Sequence, residues 1–365
     1  MRILITGATG FIGARLLARL SVECDTLRIF RRTNSSLGAI RNIKFEDFIG
    51  DVTNRDDCMR VVKDCDYVFH LAASVSYWDK LRKQQYDINV NGTKNIVEAC
   101  LAHKVKRLIH TSSIVAIGTL DCHSRPVSKH GVNSSGNPLT DENTQYNLAP
   151  LGISYCDTKH LAEGEVQKGV AQGLDAVIVN PGAVFGPGDV RRFRGHLYGS
   201  TVWTKYFYVG GGIATVDVDD VVEGHIRAWK KGRTGERYIL ANENLTFKEI
   251  SDVIMEVMEK PQNVCHSRES GNPMNIRDPH FRGDDRRYCR FKIPFPIILV
   301  FAYLATWFSK LTGTKPVATI PMAKFTRVNL FFSNEKSCQE LGMTFRPFRE
   351  SIERAVEWFR EHNYL

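Results

Sequence analysis

The sequence predicts an α/β fold in which a doubly wound parallel sheet is followed by a smaller lobe, and three observations carry that expectation. Through the first half, short β-branched apolar runs alternate with segments of helical spacing, the pattern of a sheet wrapped by helices. The runs are nearly continuous in hydrophobicity, as strands buried on both faces should be. After about Pro187 the alternation loosens into shorter, mixed elements, the kind of C-terminal half that closes over a ligand crevice in such folds.

Taken in order, the expected strands are Arg2 to Thr6, Thr26 to Phe30, Tyr67 to Leu71, Arg107 to Thr111 and Ala176 to Asn180. Between them, Phe11 to Leu20, Arg55 to Lys63, Thr93 to His103 and Thr158 to Gly169 have helical spacing with polar faces. Further helices are expected at Val218 to Lys231, Thr246 to Glu259 and Arg349 to His362, the last with Ile352, Val356 and Phe359 on one face. Residues 1–187 thus form mainly the nucleotide-binding domain. Residues 188–365 form mainly the substrate-binding lobe, with some strands and helices returning to the core. No internal repeat is present.

With 365 residues, 43% hydrophobic and 24% charged, the chain has the composition of an ordinary globular protein with a sizeable core. The first strand begins beside Met1, leaving no room for a signal peptide, so a cytoplasmic location is expected. Nine cysteines contain no CxxC pair, which points to reduced thiols and to no metal site. The net charge of +9 is not the footprint of a nucleic-acid binder. One third of it lies between Cys265 and Lys292, and no basic helix with interleaved aromatics occurs elsewhere.

Two segments stand outside the pattern. Residues 265–290, CHSRESGNPMNIRDPHFRGDDRRYCR, have no hydrophobic period and resemble the translated product of a short bacterial intergenic repeat, a passenger in a surface loop. Pro294 to Phe308, PFPIILVFAYLATWF, is the most apolar stretch. Its fifteen residues, with two prolines near the start, fall short of the roughly 20 needed to cross a bilayer. A buried or surface-docking helix is expected, and peripheral membrane contact through 294–308 is a further expectation.

The turn in ILITGATGFIGARLL spaces Gly7, Gly10 and Gly13 as GxxGxxG between a strand and an amphipathic helix that opens with Phe11 and Ile12. Glycines there permit a sharp turn, close approach of a pyrophosphate and tight helix packing, with the helix N-terminus facing the anion. This is the fingerprint of a Rossmann-type dinucleotide site. The second strand leads into Arg31 and Arg32, where an NAD site usually shows an acid for the ribose 2′-hydroxyl. Guanidinium groups suit a 2′-phosphate, so NADP is favoured over NAD.

Tyr155 and Lys159 form YxxxK, which places both side chains on one face of a helix starting near Ser154. A phenol needs a nearby positive charge to exchange protons at neutral pH, and the lysine supplies one. Thr111, Ser112 and Ser113 sit where a parallel strand ends. A hydroxyl there, Ser113 first and Ser112 next, can orient a substrate carbonyl or alcohol beside the tyrosine.

Together with GDV (50–52), HLAA (70–73), NVNGT (89–93) and NPGAVFGPGD (from Asn180), these motifs resemble the extended short-chain dehydrogenase/reductase superfamily. Within it the chain is similar to dihydroflavonol-reductase-like enzymes and hopanoid-associated sugar epimerases. The resemblance implies that Asp51 and Val52 flank the adenine and that Ala72 and Ala73 line the ribose and phosphate track. It implies that Pro181 to Val184 pass the nicotinamide and that Lys159 binds the nicotinamide ribose. Asn91 would hold local helix geometry. The implied reaction is reduction or oxidation of a small-molecule carbonyl or alcohol, with Tyr155 as acid/base. Sugar-nucleotide epimerisation or dehydration is the alternative, and a non-catalytic cofactor-binding regulator the second. Asp217, where relatives often have an aromatic or histidine, leaves pocket polarity open. Tyr77 and Trp78 line the pocket or simply pack, Arg191 to Gly212 would face substrate, and the long helices from Thr93 and Thr158 would suit a homodimer.

Overall fold

The computed structural model describes residues 1–24, 26–120, 139–190, 206–259 and 291–365. The strands are β1 (Arg2–Thr6), β2 (Thr26–Arg31), β3 (Glu46–Ile49), β4 (Tyr67–His70), β5 (Arg107–Thr111), β6 (Ala176–Pro181) and β7 (Ala183–Phe185). They continue as β8 (Phe207–Tyr208), β9 (Gly212–Asp217), β10 (Arg237–Leu240), β11 (Glu243–Thr246), β12 (Phe291–Lys292) and β13 (Asn329–Leu330). Seven of them make one sheet in the order β10-β6-β5-β4-β1-β2-β3, every neighbouring pair parallel. The order reverses direction at β1 and β4, so the crevice outside their carboxyl ends is the switch point where doubly wound sheets bind ligands.

The period-2 alternation of each strand feeds two cores. Leu4, Val68, Leu108 and Ile178 point to one face, under helices Arg55–Val62, Gly92–Ala102 and Ser154–Ala171. Ile3, Ile5, Phe69 and Ile109 point to the other, under Phe11–Leu20 and Val218–Lys231. A smaller sheet, β11-β9-β13 with β7 paired to β9, lies beyond the carboxyl end of the first, and β8 pairs with β12. Helix Phe348–Glu361 closes this lobe with Ile352, Val356 and Phe359 buried, on the face its spacing indicates.

Two strands of the main sheet were not legible in the pattern. β3 is an edge strand whose sequence, EDFI, alternates between half-buried and exposed. β10 belongs to the other edge and returns from the C-terminal half, so its four residues lack the strand-helix context of the others. The inserted segment 265–290 and most of the expected substrate loop, 191–205, lie outside the described residues. The apolar stretch forms a helix, Phe295–Thr312, started by Pro294 and ended by Gly313 in the left-handed region. It is not buried, contrary to one of the two expectations, since only Ala302 and Ser309 are closed off from solvent.

Candidate active site

The glycine turn joins β1 to helix Phe11–Leu20. Gly7 has φ +72°, and a Cβ on it would lie 2.8 Å from the Ala72 nitrogen. A Cβ on Gly13 would stand 2.2 Å from the Gly7 carbonyl oxygen. Gly10 caps the helix without a side-chain bond, and the first turn holds no acidic residue. The first-turn N–H groups and the positive end of the helix dipole therefore remain available to an anion. The cradle fits a dinucleotide pyrophosphate. Changing Gly13 to Ala should weaken dinucleotide binding at least about tenfold, read by fluorescence titration, because helix and turn must move apart; unchanged affinity would count against the cradle.

The adenosine end of the crevice has a depression lined by Arg32, Thr33, Asn34, Gly50, Asp51 and Asp57. Asp51 is held by Thr53, whose N–H and hydroxyl both donate to its Oδ1 at 2.9 Å, and Val52 is buried beneath Gly92. The two arginines differ. Arg31 is committed to Asp47 through Nε at 2.8 Å and Nη2 at 2.5 Å. Arg32 is exposed in the depression, with no side-chain partner among the described residues.

Ala72 and Ala73 follow the carboxyl end of β4, and a network that spacing alone did not expose fixes their position. The Thr93 hydroxyl donates to the Asn89 carbonyl at 2.6 Å, so it accepts from His70 Nε2 at 3.1 Å. His70 Nδ1 then accepts from the Thr6 hydroxyl at 2.8 Å, and the Thr6 oxygen accepts from the Ala72 N–H at 3.1 Å. Burial, helped by the Lys159 charge, lowers the His70 pKa to about 3, so this neutral tautomer holds. Asn89 clamps the next residue both ways, accepting from Ser74 N–H and donating to Ser74 carbonyl, and donates to Thr158. Asn91 donates to Asp87 one turn back, a local bond of the kind expected for it.

Helix Ser154–Ala171 begins one turn earlier than its amphipathic pattern, which puts Tyr155 in the first turn. Lys159 lies on the same face and is 3% exposed, its Nζ donating to the Thr111 carbonyl at 2.7 Å. Burial brings its pKa down to about 8, with Glu163 acting in the opposite direction. Glu163 is itself held by Asn180 at 2.6 Å and Arg237 at 3.3 Å. Ser113 caps the short helix Ile114–Ala116 against which the tyrosine's helix packs, and its side chain is half-buried. Ser112 is 5% exposed, with its hydroxyl sealed away from any protein partner. Of the two strand-end serines, Ser113 is the one that faces accessible space.

Pro181 ends β6, and Val184 lies in β7 where the chain passes from the large sheet to the small one. Tyr77 stands beside the catalytic candidate, its ring 6.3 Å from that of Tyr155 and 6.4 Å from Phe325. Trp78 instead stacks near Lys80. Asp217 is no pocket residue: 1% exposed, it caps helix Val218–Lys231 through Asp219 N–H at 2.8 Å and pairs with Arg354 at 3.0 Å. The six cysteines among the described residues form no disulfide, and no metal-binding cluster occurs among those residues.

Residues 3–241 match the model of the NAD dependent epimerase/dehydratase family. A putative dihydroflavonol 4-reductase of Synechocystis is 29% identical over 99% of this chain and 95% of its own length. Sterol demethylase protein B of Methylococcus capsulatus is 31% identical over the full length of both chains. The crystal structure of gox2253 superposes with a TM-score of 0.73 and 27% identity, covering 100% of this chain and 99% of the other.

Proposed function

The chain belongs to the NAD dependent epimerase/dehydratase family, whose members are enzymes of the extended short-chain dehydrogenase/reductase kind, and we propose that it is an NAD(P)-dependent oxidoreductase acting at a carbonyl or carbinol carbon. One observation carries the reading: Tyr155 and the buried ammonium of Lys159 share a helix face beside the strand end that presents Ser113.

The nicotinamide, when bound, supplies or accepts the hydride. Tyr155 moves the proton at its phenolic oxygen, donating to the substrate oxygen in the reductive direction and accepting from it in the oxidative one. Lys159 supplies the positive charge that favours the phenolate, and its bond to the Thr111 carbonyl fixes where that charge sits. Ser113 orients the substrate oxygen. The pyrophosphate would lie over Gly7, Gly10, Phe11, Ile12 and Gly13. Asp51 and Val52 would flank the adenine, Ala72 and Ala73 the ribose and phosphate track, and Pro181 and Val184 the nicotinamide.

The relatives' names concern a dihydroflavonol and a sterol, and Tyr155 has the Tyr77 ring beside it, with Phe325 behind Tyr77. The relatives' names and the Tyr77 ring beside Tyr155 favour a substrate whose reacting carbon sits on an apolar ring system. The test is to identify the co-purifying nicotinamide and follow its absorbance against carbonyl and sugar-nucleotide substrates. Net oxidation of the cofactor with a ring ketone supports the reading. Retained NAD with sugar-nucleotide turnover and no net redox change overturns it.

NADP is the proposed coenzyme, with Arg32 rather than Arg31 as the 2′-phosphate ligand, because Arg31 is already paired. Arg32→Asp should move the NADP/NAD preference toward NAD by about 10- to 100-fold, the worth of one charge-assisted phosphate contact. A preference that does not move would rule Arg32 out.

A further inference from the structure

Helix Phe295–Thr312 is built the wrong way round for a soluble surface. Its inward stripe begins with the half-buried Phe295, Ile298 and Leu299 and continues in small side chains, Ala302 and Ser309 buried and Ala305 and Thr306 half-buried between them. Its outward face holds Ile297, Val300, Leu304, Trp307, Phe308 and Leu311, each more than half exposed, up to 63% for Trp307 and 66% for Leu311. Burying such side chains is the main driving force for folding a helix against a core, and here the protein leaves them in contact with solvent.

The charges on the helix and the segments that flank it in the chain are all of one sign. From Phe291 to Arg327 the sequence carries Lys292, Lys310, Lys315, Lys324 and Arg327 and no Asp or Glu. Lys292, Lys310, Lys315 and Arg327 are exposed, and Arg327 lies 4.9 Å over the ring of Phe295 at the start of the helix. Aromatic, aliphatic and cationic groups on one surface are the composition of an interfacial helix.

We propose that this helix is an in-plane attachment surface for a bilayer containing anionic phospholipid. A second copy of the chain fits less well, since a symmetric pairing would bring two sets of like-charged side chains together. A crossing fits less well too. By length and composition its 18 residues suffice for a crossing, but the chain at both ends is held on the body of the protein, which opposes one. β12 pairs with β8 before the helix, and Ile320–Phe325 packs against the helix after it. That short helix carries Phe325, which touches Tyr77 beside Tyr155, so the attachment surface adjoins the mouth of the candidate active site.

The test is flotation of the full chain with vesicles of phosphatidylcholine alone or with about one third phosphatidylglycerol. Binding should be at least about tenfold stronger with the anionic vesicles and should fall steeply between low and molar salt. The double variant Leu304→Glu, Trp307→Glu should abolish flotation while melting temperature and dinucleotide affinity stay unchanged, because both side chains are exposed. Equal binding to neutral vesicles, salt-insensitive binding, flotation retained by the double variant, or a dimer that the variant splits without any vesicle binding would each overturn the proposal.

Discussion

Tyr155→Phe is expected to lower turnover by about 10²- to 10⁴-fold, the usual worth of a positioned acid/base, while leaving dinucleotide affinity within about twofold of the parent. The phenylalanine keeps the ring and therefore the edge-on contact with Tyr77, and the half-buried position tolerates it. What is removed is the phenolic hydroxyl, and with it the exchangeable proton. Lys159 stays tethered to Thr111, and the glycine turn lies at the start of a different helix, so binding and chemistry can be read apart. Single-turnover absorbance would measure the chemical step and fluorescence titration the binding. A rate equal to the parent's would remove Tyr155 from the mechanism, and a parallel loss of cofactor affinity would make it a binding residue.

Those two readouts separate because the sequence encodes the two halves of the site in different ways. The glycine turn was legible: three glycines in fixed spacing have a steric meaning that survives translation into coordinates, as the 2.2 Å and 2.8 Å approaches at Gly13 and Gly7 show. The catalytic pair was legible because i and i+4 share a helix face whatever the helix packs against. Strands inside the repeating strand-helix pattern announced themselves, whereas β3, half-exposed at one edge, and β10, buried but returning from the C-terminal half, did not. What the spacing could not supply were long-range partners. Arg31 and Arg32 look equivalent in the chain, yet Asp47 on the neighbouring strand occupies one of them. Asp217 leaves pocket polarity open in the sequence until Arg354, far along the chain, takes it up. His70 is visible in a motif, but its role as a neutral link from Thr93 through Thr6 to Ala72 needs three separate elements in place. The apolar helix was visible too. That its large side chains face outward depends on which stripe the rest of the fold contacts.

Lys159→Met should produce two effects that move apart with pH. Turnover should fall by about 10²-fold or more, since the charge beside Tyr155 is lost while a side chain of similar length still fills the space. The stability effect has a sign that follows from burial. In the folded chain the lysine titrates near pH 8 instead of 10.5, because the buried site disfavours its charged form. Below about pH 8 both folded and unfolded chains carry the proton, and the folded chain bears the full cost of a buried ammonium. Between about 8 and 10.5 the unfolded chain binds more protons than the folded one, so the parent gains stability as pH rises. Methionine has nothing to titrate. The difference in unfolding free energy should therefore shift toward the parent across that window and stay level below it, whatever its value at neutral pH, where losing the bond to Thr111 opposes the relief of the charge. Denaturant melts of the cofactor-free proteins at pH 7, 8, 9 and 10 would measure it. A difference that stays flat from pH 8 to 10 would mean that Lys159 reaches solvent and keeps an ordinary pKa, and with it the argument for a desolvated ammonium beside Tyr155 would fall.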